Sequence, residues 1–209
     1  MPLQNRVNPE GAIEKVSARG SFMGNRGVLH NSKKELQRQF KNKAWITCLL
    51  EFKGKQRDLM SPNAYTELFF LDEVTALAAG HRPCAECRWS RYKEFRNAWM
   101  IANQWEEDST IRAHQTDGVL HRERVDGNTK VTWSKPWREL PHGTMFQAET
   151  DSYAVCDDKI LKWSFEGYIG VDRERLPESV EVLTPRSVVN IFASGFRPEF
   201  HPTAGVRAR

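Results

Sequence analysis

The stretch Phe69-Phe70-Leu71-Asp72-Glu73-Val74-Thr75-Ala76-Leu77-Ala78-Ala79-Gly80-His81-Arg82-Pro83-Cys84-Ala85-Glu86-Cys87-Arg88 decides how the chain is read. Glu67 to Phe70 is β-prone and short, and Asp72 is a good N-cap for a helix through Leu77 and Ala79 that Gly80 stops. Pro83 then opens a longer helix, predicted from about Cys84 to Gln104. Along it Arg88, Tyr92, Phe95, Trp99 and Ala102 recur at i, i+4, i+7, i+11 and i+14, which puts them on one face.

Outward from this centre the signals change twice. Upstream, Ala12 to Val16 reads as a short strand. Gly20, Gly24, Asn25 and Gly27 punctuate a turn-rich segment, and Trp45 to Phe52 is an apolar run expected to be a buried strand ending at Gly54. Downstream, Asp108 or Ser109 is expected to cap a helix through Arg124, ended by Asp126-Gly127. From Lys130 short strands follow. Tyr153 to Cys156 and Ile160 to Trp163 flank Asp157-Asp158-Lys159 as a hairpin, and Val180 to Leu183 is a last strand. Thr184-Pro185 starts a helix through Phe192 that stops at Gly195. The tail from Gly195 is expected to lie extended on the surface. Strands, then helices, then strands mean α+β, divided as residues 1–105 and a β-rich 106–209 that ends in a helix and packs as one unit with the first part or as a second small domain.

Composition narrows the class. The 209 residues are 39% hydrophobic with seven Trp, too apolar for a disordered chain. No apolar run approaches the roughly 20 residues that span a bilayer, so no membrane association is expected. MPLQNRVNPEG has neither a basic start nor an apolar stretch, and four cysteines are too few for a disulfide scaffold; a reducing cytoplasm is the expected setting. Net charge is +4. Residues 1–100 hold 17 Lys/Arg against 10 Asp/Glu, whereas 101–209 hold 14 against 17, which points a polyanion-facing surface at the first part.

Cys84-Ala85-Glu86-Cys87 sits where a turn meets a helix start. Two thiolates at that spacing can face one ion, and the exposed amides favour their charge; a redox pair or two incidental cysteines are the alternatives. A thioredoxin-like pair would follow a strand, and here a helix precedes it. Phe69-Phe70, Ala76-Leu77-Ala78-Ala79-Gly80 and Arg82-Pro83-Cys84-x-x-Cys87-Arg88 together resemble the metal-binding domain of the Ada DNA repair protein, over about 25 residues. The resemblance implies a small zinc-stabilised α+β module with a long helix, a structural Zn²⁺ on Cys84 and Cys87, and nearby basic groups on DNA. That family supplies two further cysteines from an upstream C-x-x-x-C, one a methyl acceptor. Here only Cys48 lies upstream, which disfavours methyl transfer. The expected ligand set is Cys84, Cys87, Cys48 and His30, with His81 a lesser choice and a plain buried thiol the alternative for Cys48.

Arg82, Arg88, Lys93 and Arg96, with Trp89 among them, are the expected nucleic-acid-binding residues: the cations neutralise phosphates and the ring stacks on a base. A second cluster is His114, Asp117, His121 and Glu123. His114, Asp117 and His121 at i, i+3, i+7 share a helix face, so Asp117, His121 and Glu123 are candidate catalytic residues for phosphodiester hydrolysis with a second divalent metal, ordinary polar surface being the alternative. Three functions follow in order: a zinc-containing DNA-binding protein of repair or processing, a metal-dependent nuclease using this cluster or His30, and a zinc-stabilised protein-interaction module. Walker and dinucleotide glycine loops and a GxSxG elbow are absent from the sequence.

Overall fold

The computed structural model describes residues 1–54, 58–105 and 111–205. The chain is α+β and rich in β structure, with two six-stranded sheets joined through a helical layer. The expected caps Asp108 and Ser109 lie outside the described residues. No helix among the described residues is long and apolar enough to cross a membrane.

The first sheet comprises β1 (Arg6–Val7), β2 (Ile13–Glu14), β3 (Phe22–Asn25), β4 (Ile46–Cys48), β5 (Leu68–Phe70) and β6 (Arg82–Pro83), ordered β2-β1-β5-β3-β4-β6. Strand β3 pairs antiparallel with β4, Met23 opposite Cys48. Gly24 permits this: a Cβ there would stand 2.2 Å from the Ile46 carbonyl oxygen. Strand β4 is shorter than the Trp45–Phe52 run suggested, because the chain leaves the sheet after Cys48 and exposes Leu49 and Leu50. Strand β6 then runs parallel to β4, Ile46 opposite Arg82 and Thr47 opposite Pro83.

Between β5 and β6 lies α1 (Glu73–Ala78). The Asp72 carboxylate caps it, accepting from the Thr75 amide at 2.8 Å and the Thr75 hydroxyl at 2.7 Å. At its end the His81 amide reaches back to the Ala76 carbonyl and Gly80 takes φ 84°, the left-handed residue that closes a helix. All six residues of α1 are buried; the polar two, Glu73 and Thr75, are hydrogen-bonded, to Arg88 and Asp72 respectively. Ala76 packs in the first sheet's core, Val74 and Ala78 against the second sheet, and Leu77 among the other helices.

Those helices are α2 (Trp89–Ala102), α3 (Ala113–Arg124) and α4 (Arg186–Ala193). Helix α2 starts five residues later than the sequence suggested, because residues 85–88 form a turn instead. Phe95 and Trp99 of α2 meet Leu120 of α3 and Val188, Ile191 and Phe192 of α4. A short hairpin of β7 (Val125–Asp126) and β8 (Thr129–Lys130) follows α3.

The second sheet is antiparallel throughout: β9 (Trp133–Pro136), β10 (Met145–Ala148), β11 (Asp151–Cys156), β12 (Lys159–Ser164), β13 (Gly167–Val171) and β14 (Ser179–Val182), ordered β13-β12-β11-β10-β14-β9. The hairpin expected around Asp157 is present, with Asp157 and Asp158 as its two-residue turn and Asp157 at φ 53°. Thr184 does not cap α4. Its hydroxyl accepts from the Met145 amide at 2.9 Å, and Glu123 of α3 takes the Ser187 amide at 3.1 Å and the Ser187 hydroxyl instead. The tail is anchored: the Glu199 amide donates to buried Glu73 and the His201 amide to buried Asp72, both at 3.0 Å.

Candidate metal centre

Strand pairing brings the cysteines together. Cys48 ends β4; β6 lies alongside it, and the Cys84 amide donates to the Thr47 carbonyl at 2.9 Å. The turn after Cys84 returns Cys87 to the same place. The three sulfurs lie within 4.8 Å of one another and could hold a metal ion. A Zn–S bond of about 2.3 Å puts tetrahedrally disposed sulfurs about 3.8 Å apart, inside that limit.

The local backbone suits thiolates. The Glu86 amide points at Cys84 Sγ, 3.4 Å away. Cys84 is pushed down to about 5: the Cys48 thiol donates to it, burial opposes, and the Cys87 and Glu86 amides add further donation. Cys48 moves up, chiefly because it is that donor and because it is buried. Cys87 also moves up through burial, opposed by the Leu49 amide that donates to its sulfur. A metal ion bound there would displace the protons that the thiols carry. All four cysteines are free.

His30, expected as the fourth ligand, stands outside this group. Its Nδ1 lies 2.6 Å from the Thr66 hydroxyl and its Nε2 3.2 Å from the Ser61 carbonyl, so both ring nitrogens are engaged. His81 is also turned away, accepting at Nε2 from Arg26 Nε at 3.2 Å. Burial first, then Arg26 and Arg124, keep its ring neutral, well below the usual histidine range.

The expected nucleic-acid residues divide. Arg82 is buried and donates to both oxygens of Asp117, at 2.7 and 2.9 Å. Arg88 is buried on Glu73 at 2.7 Å, and Arg91 meets the same carboxylate at 2.6 Å. Burial alone would raise Glu73, but Arg91 and Arg88 hold it below the usual carboxylate range. Neither Arg82 nor Arg88 is therefore free to meet a phosphate. Trp89 is 50% exposed, Lys93 is exposed with its ammonium 5.8 Å from the Trp89 ring, and Arg96 is half-buried.

The expected catalytic face does not converge into a group that could hold a metal among the described residues. Asp117 is committed to Arg82 and Glu123 to Ser187. His121 faces Arg124 and packs edge-on against Phe40, and His114 is exposed.

Two constellations were not read from the sequence. His142, Cys156 and Asp157 bring their ligand atoms within 4.8 Å on the wall of a 1010 Å³ cavity, but Arg197 already bonds the Asp157 carboxylate and lies 3.3 Å from His142 Nδ1. The other gathers Arg26, Arg124 and Lys130 on a smaller cavity. Each needs a member from elsewhere in the chain, His142 for the Cys156-Asp157 pair and Arg26 for Arg124 and Lys130, so local spacing does not announce them. Comparison with protein-family models, with curated proteins and with solved structures returned no match.

Proposed function

We propose that this chain is a zinc-stabilised DNA-binding protein in which Cys48, Cys84 and Cys87 hold the ion and the exposed start of α2 meets the nucleic acid. The observation that carries the reading is the sulfur cluster at the foot of α2, with backbone amides aimed at the sulfurs. Zinc there supplies folding energy by tying β4 to the turn before α2. The residues that remain available beside it are Trp89, Lys93 and Arg96; the ring offers a stacking face and the two cations neutralise phosphates. The Ada-like string supports the same class, and DNA repair or processing is the setting that it implies. The nuclease reading loses ground because Asp117 and Glu123 are committed to Arg82 and Ser187.

Elemental analysis of purified protein should return one zinc per chain, and Cys84→Ser should lose it. Lys93→Ala and Trp89→Ala should weaken DNA binding across sequences with the fold intact, and Lys93→Ala should flatten the salt dependence by about one ion. Zinc-free, folded wild type would sink the metal assignment. Unchanged affinity in both variants would move the DNA surface off α2, and salt-insensitive capture of an acidic protein would favour an interaction module.

A further inference from the structure

Beside Trp45, at the start of β4, three cations share one cavity of about 220 Å³ lined also by Glu10, Gly11 and Asn128. Arg26 and Arg124 are each 1% exposed, and Lys130 is half-buried. Both guanidinium carbons lie 3.9 Å from the centre of the Trp45 ring. No carboxylate bonds any of the three among the described residues. Arg26 Nε donates to His81, and Arg26 Nη1 lies 3.4 Å from the Gln39 carbonyl; its Nη2 is buried without a partner. Arg124 donates to the Gly80 and Lys43 carbonyls, both at 2.7 Å, and its Nε is buried and unpartnered. Lys130 Nζ donates to the Ala78 carbonyl at 2.7 Å.

Carbonyl caps at the end of α1 explain part of this arrangement, since cations favour a helix C-terminus. They do not explain Arg26, which reaches no carbonyl of α1, nor do they neutralise the charge. Glu10 is the acidic residue on the cavity wall, and Asp117, the other nearby carboxylate, is spent on Arg82. Buried cations with little counter-charge are costly: burial first, then cationic neighbours, lowers all three below their ordinary range, with Asp117 opposing at Arg124 and Glu10 at Lys130. A bound dianion removes that cost. The unpartnered Arg26 Nη2 and Arg124 Nε, with the Lys130 ammonium on the same small cavity, are charged N–H donors that suit the oxygens of a phosphate group. Gly11, at φ 89°, forms a wall without a side chain; a Cβ there would stand 3.6 Å from Arg26 Nη2.

We infer that the cavity bounded by Arg26, Arg124, Lys130 and Trp45 is a binding site for a phosphate group, separate from the cysteine cluster and independent of the DNA-binding reading. The group is carried either by a free small phosphate or by the phosphorylated end of a nucleic acid strand.

Thermal unfolding of the full chain with low-millimolar inorganic phosphate, against chloride at matched ionic strength, tests it. At a hundredfold excess over Kd, wild type should gain about 5 °C in Tm. Lys130→Met and Arg26→Gln, each verified as folded by circular dichroism, should lose that gain, and Lys130→Met should be no less stable than wild type in chloride. Greater protection by a 5′-phosphorylated oligonucleotide than by its 5′-hydroxyl twin assigns the site to a strand end. Equal protection by the two, with the inorganic phosphate effect retained, assigns it to a small phosphate. No phosphate effect on wild type overturns the site. An effect undiminished in Lys130→Met also overturns it, because general salting-out stabilises every variant alike.

Discussion

Arg82 and Asp117 lie 35 positions apart in sequence yet meet through two parallel hydrogen bonds, each side chain only 6% exposed. Truncating one member of such a pair leaves the other charge buried and alone, which costs about 3–5 kcal/mol. Asp117→Ala should therefore lower the unfolding free energy from urea titration by that much; a change below about 1 kcal/mol would show that water reaches the orphaned guanidinium. The same pair explains why Arg82 was read as a phosphate contact. Sequence displays a cation beside Cys84, but its partner arrives from another helix. Arg88 is misread for the same reason, its partner Glu73 being 15 residues upstream. Cys84 and Cys87 were legible because a C-x-x-C turn is local, and Cys48 because it was the remaining upstream thiol. His30 was placed by chain order alone, which says nothing of the Thr66 and Ser61 oxygens that engage its ring.

Helix α1 was readable from its own signals, an aspartate that caps it and a glycine that ends it, because capping chemistry acts within a few residues. The tail from Arg197 to Gly205 was not. Its anchors at the start of α1 are the amides of Glu199 and His201, which almost any residue would supply, so side-chain identity does not announce that contact. Those amides donate to Glu73 and Asp72, both fully enclosed at the start of α1. Tyr168 adds its hydroxyl to Asp72 at 2.8 Å. Hydrogen bonds to charged groups contribute about 1.5–3 kcal/mol each. A chain ending at Phe196 should lose about 3 kcal/mol or more of unfolding free energy, whereas Glu199→Gln, which leaves both amides in place, should lose under about 1 kcal/mol. Equal losses in the two would show that the Glu199 side chain, through its 3.3 Å contact with Arg88, is the anchor.

Across the whole molecule, burial does not cancel the excess of basic residues before position 101, since Glu67, Asp72 and Glu73 are buried along with Arg26, Arg82 and Arg88. Nor does the core respect a boundary near residue 105. Leu71, Val74 and Ala78 pack with Met145, Ala154, Leu161 and Tyr168 of the second sheet, and Leu77 packs with Phe95, Trp99 and the residues of α4. The α+β class was legible from the order of element signals; this shared core was not, because it depends on which faces meet. Helix α1 belongs to three clusters at once, so damage to it cannot stay on one side. Leu77→Ala, at a residue 1% exposed, should cost about 2–5 kcal/mol. Hydrogen exchange should report that loss equally at amides of β4 in the first sheet and of β12 in the second, because one cooperative unit opens as a whole. Protection lost from one sheet and kept in the other would mean that the two sheets unfold separately, with α1 a bridge between two units.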